Sequence, residues 1–146
     1  MVNEVRLTMT RTSFTQPIHA PAPVDAPDTA PVLDAERLDV FHVAVEFHQL
    51  VPTLTPRAGR NLRDQLERAS ASITLNLCEG VARRSALDKA HFIAISRGSA
   101  AESAAIVPLL LSRGLVDDLT AKRARALLVR TISMLTRLEQ RYLRHP

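Results

Sequence analysis

The chain has 146 residues, 46% of them apolar, with four Phe, one Tyr, no Trp and one Cys. That length suits one domain with its own core rather than two, one cysteine excludes an internal disulfide framework or a multi-cysteine metal site, and so few rings exclude an aromatic stacking platform for nucleic acid. The formal net charge is +4, and 17 of the 19 basic residues are arginine, the side chain suited to bidentate phosphate and carboxylate contacts.

Residues 1–33 hold five of the nine prolines, at Pro17, Pro21, Pro23, Pro27 and Pro31, among Ala, Thr and Asp without helical or strand period. Such a segment buries too little apolar surface to offset chain ordering, so a disordered tail is expected there and a folded domain over 34–146. The N-terminus shows no apolar segment followed by a cleavage site. The longest apolar run, Ala104–Leu111, is too short to span a bilayer and contains Pro108. Together with the lone cysteine, these features lead us to expect a cytoplasmic protein with no membrane partner.

From Asp34 onward apolar residues recur at helical intervals and no hairpin signal intervenes, which predicts four helices. The first spans 35–54, with Leu38, Phe41, Ala44, Val45, Phe47 and Val51 inward, and stops before Pro56. The second spans 59–83 and turns Leu62, Leu66, Ala69, Ile73, Leu77 and Gly80 inward. The third opens on Ser85 as N-cap, carries Phe92, Ile95 and Ile106, bends at Pro108 and closes at Gly114. The fourth follows Asp117 and Asp118, acids suited to a helix start, and runs to 143. Four amphipathic helices joined by short loops predict an all-α, antiparallel up-down bundle.

Charge is unevenly placed along this bundle. Residues 34–56 carry Arg37 against Asp34, Glu36, Asp39 and Glu46, whereas residues 119–146 carry seven bases against Glu139 alone. At about 100° per residue, Arg123, Arg130, Arg137, Arg141 and Arg144 share an arc of roughly 60°. With so little acid within one turn, these side chains repel one another on an isolated helix. Two readings stay open: a polyanion surface aided by Arg60, Arg63 and Arg68, or arginines that are solvated or that meet the acidic first helix of a neighbouring subunit.

On the second helix Ala71, Leu75 and Cys78 form an apolar strip away from the inward face. A helix apolar on two sides is normally covered on both, so this strip predicts a homo-oligomer interface. Asn76, Glu79, Arg97 and Glu102 stand closest to apolar faces and predict a buried polar network that fixes helix register. The pairs Asp39/His42 and Asp88/His91 have the spacing of dimetal bundles, but Asp39, His42, Glu46 and Gln49 share a polar arc that points away from the core. His48, on the apolar side, reads as a packing histidine. No metal, cofactor or catalytic residue is expected, and no Gly-rich phosphate loop, Ser/His/Asp order or HExxH motif occurs in the sequence.

The stretch Gln65 to Gly80, followed by Phe92 and by Arg97-Gly98-Ser99 with Glu102, resembles the four-helix bundle proteins encoded within intervening sequences of 23S ribosomal RNA genes. It is similar, more distantly, to the accessory variability determinant proteins of diversity-generating retroelements. The resemblance spans Leu38 to Leu138. Glu67, Thr74 and Cys78 depart from it, standing where the family usually has arginine, proline and alanine. The resemblance implies a homopentamer and, in the retroelement branch, a basic surface that engages structured RNA and a reverse transcriptase. Composition and resemblance together lead us to expect a non-enzymatic, RNA-binding accessory protein, or else a protein-interaction scaffold that touches no nucleic acid.

Overall fold

In a computed structural model of the protein, which describes residues 32–144, a 3-10 turn at Asp34–Arg37 leads into four helices. They are α1 (Asp39–Leu54), α2 (Arg60–Ala82), α3 (Ala86–Ser112) and α4 (Asp118–Arg144). No strand occurs among the described residues, so the all-α, four-helix class is what the chain adopts. The expected tail lies outside the described residues except for Val32 and Leu33.

Local chemistry sets each boundary. The single helix expected over 35–54 is divided at Leu38, whose extended backbone (φ −97°, ψ 129°) separates the 3-10 turn from α1. Glu36 holds that turn: its carboxylate accepts the Leu33 N–H at 2.7 Å, and its carbonyl accepts from His42 Nε2 at 2.7 Å. At the far end of α1 the Thr55 hydroxyl donates back to the Val51 carbonyl at 3.0 Å, and Pro56 prevents continuation.

Ser85 caps α3 by accepting the Asp88 N–H. Gly114 ends it with φ 64°, the one positive φ among the described residues. The Gly114 N–H bonds the Leu111 carbonyl at 2.9 Å and the Leu115 N–H bonds the Leu110 carbonyl at 3.0 Å, a paired closure that requires a left-handed residue. α3 runs through Pro108 as one helix to Ser112. Asp117 starts α4, accepting both the N–H and the hydroxyl of Thr120. Those bonds to the charged form hold the Asp117 carboxyl below its ordinary pKa.

Phe47, Leu54, Leu66, Ile73, Leu77, Ile93, Leu110, Leu128 and Leu135 are fully buried. On α3 the core position belongs to Ile93, while Phe92 is half-buried and Ile95, expected inward, is 39% exposed. The physical reason is that α3 is apolar around most of its circumference, so the period of its apolar residues does not single out an inner face. With charges only at Asp88, Lys89, Arg97 and Glu102, α3 has the length and hydropathy to cross a bilayer, which the short run Ala104–Leu111 did not suggest. In the bundle it packs between α2 and α4.

α1 likewise packs against α2 and α4, which places α2 and α4 at opposite corners. Early α2 meets late α3, with Gln65 Nε2 donating to Glu102 Oε1 at 3.1 Å, and late α2 meets early α3, with Gly80 against Phe92, Ile93 and Lys89. Small residues let these two backbones approach. Ser96 Oγ donates to the Ile73 carbonyl at 2.6 Å and the Ser72 and Ser99 hydroxyls bond at 2.9 Å. A Cβ on Gly80 would fall 3.0 Å from Phe92 Cβ.

Candidate nucleic-acid interface

α4 has a buried apolar side and an arginine row, with Leu119, Val129 and Leu143 also exposed. Ala121, Ala124, Leu127, Leu128, Thr131 and Leu135 are buried, and Arg123, Arg130, Arg137, Arg141 and Arg144 are exposed. The arginines occupy the flank of α4 that faces α1. Arg123 Nη2 donates to Glu46 Oε1 of α1 at 3.1 Å, so an acidic partner that the sequence could place in a neighbouring subunit is met within the same chain. This exposed pair contributes at most about 1 kcal/mol. Among the described residues Arg130, Arg137, Arg141 and Arg144 form no ion pair.

Arg137 and Arg141 border a groove of about 250 Å³ between the two helices, lined also by Leu38, Asp39, Val40, Met134 and Leu138. A second hollow of about 310 Å³, lined by Val129, Arg130, Ser133, Met134 and Arg137, continues it along α4. The flank therefore combines a largely apolar floor with three arginines and one carboxylate. Periodicity in α4 singled out the arginines but not this floor. Met134 and Leu138 stand beside Arg137 in sequence, yet a groove has two walls, and the second comes from α1.

Arg60, Arg63 and Arg68 are not brought to this flank. They lie on α2, at the corner opposite α4. Arg63 donates to the Ala58 carbonyl at 3.0 Å and thereby braces the turn before α2, while Arg60 and Arg68 are exposed.

The four residues expected to form one buried polar network each bond elsewhere. Asn76 Nδ2 donates to the carbonyl and hydroxyl of Ser72 at 2.8 and 2.9 Å, and Glu79 pairs with Arg83 one turn on. Arg97 Nε donates to Glu139 Oε2 at 2.9 Å, joining α3 to α4, and Glu102 accepts from Gln65. Glu79 and Glu102 are exposed, and Asn76 and Arg97 only half-buried. Each of the four thus makes its own contact, and separate contacts replace the network.

The strip on α2 is partly covered by its own chain. Cys78 lines a hollow with Val81, Ala82 and the segment Leu33–Ala35, so the 3-10 turn supplies some of the cover expected from a second subunit. Burial first, and the Glu36 carboxylate second, push the Cys78 thiol above its ordinary pKa near 9.0, which disfavours the reactive thiolate. Ala71 is half-buried, but Leu75 is 68% exposed. On α3, Leu87, Ile95 and Leu109 are exposed too, so uncovered apolar surface extends beyond the strip read from α2.

The histidine pairs are occupied in other ways. His42 bonds the Glu36 carbonyl, Asp39 lines the groove, and His91 sits edge-on to Phe92 with ring centroids 5.6 Å apart. His48 Nδ1 hydrogen-bonds Ser70 Oγ at 2.8 Å. Among the described residues no three His, Cys, Asp or Glu side chains converge.

Comparison with protein families gives one finding: residues 36–137 match the family described as 23S rRNA-intervening sequence protein. That span runs from the 3-10 turn to Arg137, so it includes the groove except for its last two residues, Leu138 and Arg141. No curated protein sequence matches the chain.

Proposed function

The chain belongs to the 23S rRNA-intervening sequence protein family, and from that premise and the arginine flank of α4 we propose that it is a non-enzymatic, RNA-binding accessory protein that works as an assembly of copies. The observation that carries the reading is the cluster of Arg130, Arg137, Arg141 and Arg144, exposed and without carboxylate partners among the described residues. Unbalanced charge on one helix costs folding energy and is offset when phosphates approach and release their counterions. Self-association is supported by a different surface, where Leu75, Leu87, Ile95 and Leu109 leave apolar carbon in water.

A protein-interaction scaffold is the second reading, favoured by the contact between Arg123 and Glu46, which shows the flank accepting a carboxylate. Titration of a structured RNA at two salt concentrations separates the two. RNA binding predicts an affinity that falls steeply with salt, and Arg130→Gln or Arg137→Gln lowers the salt slope by about one each. Absence of binding at low salt favours the scaffold. An accessory role beside a reverse transcriptase is a finer form of the first reading, and a neighbouring reverse-transcriptase gene would support it where a ribosomal RNA operon would not.

A further inference from the structure

We propose that the groove between the start of α1 and the C-terminal part of α4 holds one unpaired guanine of a bound RNA, with Asp39 accepting from its Watson–Crick edge and Arg137 and Arg141 on the flanking phosphates. Resting on the RNA-binding reading above, this converts an electrostatic surface into a site that reads a base.

Arginines alone suffice for phosphate contact. The floor of this groove is instead built from Leu38, Val40, Met134 and Leu138, from which a phosphate gains nothing. A flat heterocycle gains contact with those aliphatic carbons, and the two guanidinium groups are left to the flanking phosphates. The volume of about 250 Å³ lies below the roughly 300 Å³ at which drug-sized pockets begin, a fit for one ring system rather than a helix of a partner protein.

The carboxylate decides the chemistry. Asp39 stands in the first turn of α1 between the apolar floor and two arginines, and among the described residues it forms no ion pair. At the N-terminus of α1 and beside two guanidinium groups this carboxylate is stable in the free protein. Against phosphates alone it contributes nothing, whereas to its two oxygens the N1–H and N2–H of guanine offer two parallel donors. Both are engaged in a paired helix, so the base must come from a bulge or loop. The adjoining hollow, with Arg130 and Ser133, gives the neighbouring backbone a continuous path along α4.

The test is fluorescence anisotropy of the full chain with three RNAs at one salt concentration: a fully paired duplex, the same duplex with one unpaired guanosine, and the same with one unpaired uridine. The guanosine bulge binds about tenfold more tightly than the other two, the scale of one bidentate base contact. Asp39→Asn brings that ratio to one while the paired duplex is still bound. Equal affinity for all three RNAs, or equal preference for both bulges, overturns base reading and leaves the electrostatic function standing. No binding of any of the three at low salt overturns both.

Discussion

The flank of α4 and the outer side of the α2–α3 pair differ in what each leaves unsatisfied. On α4, four arginines carry charge with no carboxylate in pairing range among the described residues. On α3 the only charges between Ala90 and Ser112 are Arg97 and Glu102, and both turn sideways, to Glu139 of α4 and Gln65 of α2. Exposed there as well is carbon, with Leu87, Ile95 and Leu109 on α3 and Leu75 on neighbouring α2 standing among the charges of Arg68, Glu79 and Asp88.

These surpluses respond to salt in opposite directions. Exposed charge acts across a Debye length of roughly 8 Å at physiological ionic strength and is screened as salt rises. Apolar surface acts only on contact, and excluded salts such as sulfate strengthen its burial. The proposed subunit contact and the proposed RNA contact would therefore rest on independent forces, and the same titration separates them.

The sharpest way to break this comparison is to put charge on the apolar side. Leu75→Asp combined with Ile95→Asp should weaken self-association by more than about a hundredfold, since each buried side chain of this size contributes about 1.5–3 kcal/mol. Light scattering should show single chains while the circular dichroism stays helical. An unchanged assembly mass would place the subunit contact elsewhere.

A second substitution contrasts packing with charge. Gly80→Val places carbon within 3.0 Å of Phe92 Cβ and 3.2 Å of the Lys89 carbonyl, and overpacking of this kind costs about 1–3 kcal/mol. Arg137→Gln on the α4 flank should change stability by no more than about 0.5 kcal/mol. Urea unfolding of both variants measures the difference, and equal losses would mean that the arginine flank also carries folding energy.

The smallest expected effect concerns the start of α4. Because Thr120 bonds the charged form, the folded pKa of Asp117 lies below its unfolded value. Its stabilisation is present above the unfolded value and is lost as pH falls through the folded one. Asp117→Ala should therefore lower the melting temperature by a few degrees near neutral pH. Wild type and variant should converge in acid, below the ordinary carboxylate range. A gap that persisted there would assign the effect to helix geometry rather than to the ionised cap.

Legibility in the sequence followed the kind of residue involved. Ser85, Gly114 and Asp117 were readable because caps act within four residues of themselves. Leu66, Ala69, Ile73, Leu77 and Gly80 were readable because α2 has a polar side to contrast with its buried one. Ile95 was misplaced because α3 offers no such contrast, and the break at Leu38 was missed because a 3-10 turn and an α-helix share the same short-range apolar spacing.

The arginine row on α4 was legible as a row but not as half of a groove, since its other wall lies far away in the chain, at Leu38, Asp39 and Val40. The polar set Asn76, Glu79, Arg97 and Glu102 failed for the related reason that proximity to apolar faces does not say which polar atoms meet.

By itself the sequence determined the helical class, the family, most helix ends and the separation of charge from apolar surface, all of which depend on short-range periodicity or local chemistry. Only the tertiary structure decided that Arg123 reaches Glu46, that the segment Leu33–Ala35 shares a hollow with Cys78, and that Asp39 stands among arginines over an apolar floor. Such contacts depend on how helices rotate about their own axes when they pack, and interdigitation of side chains from distant segments sets that rotation.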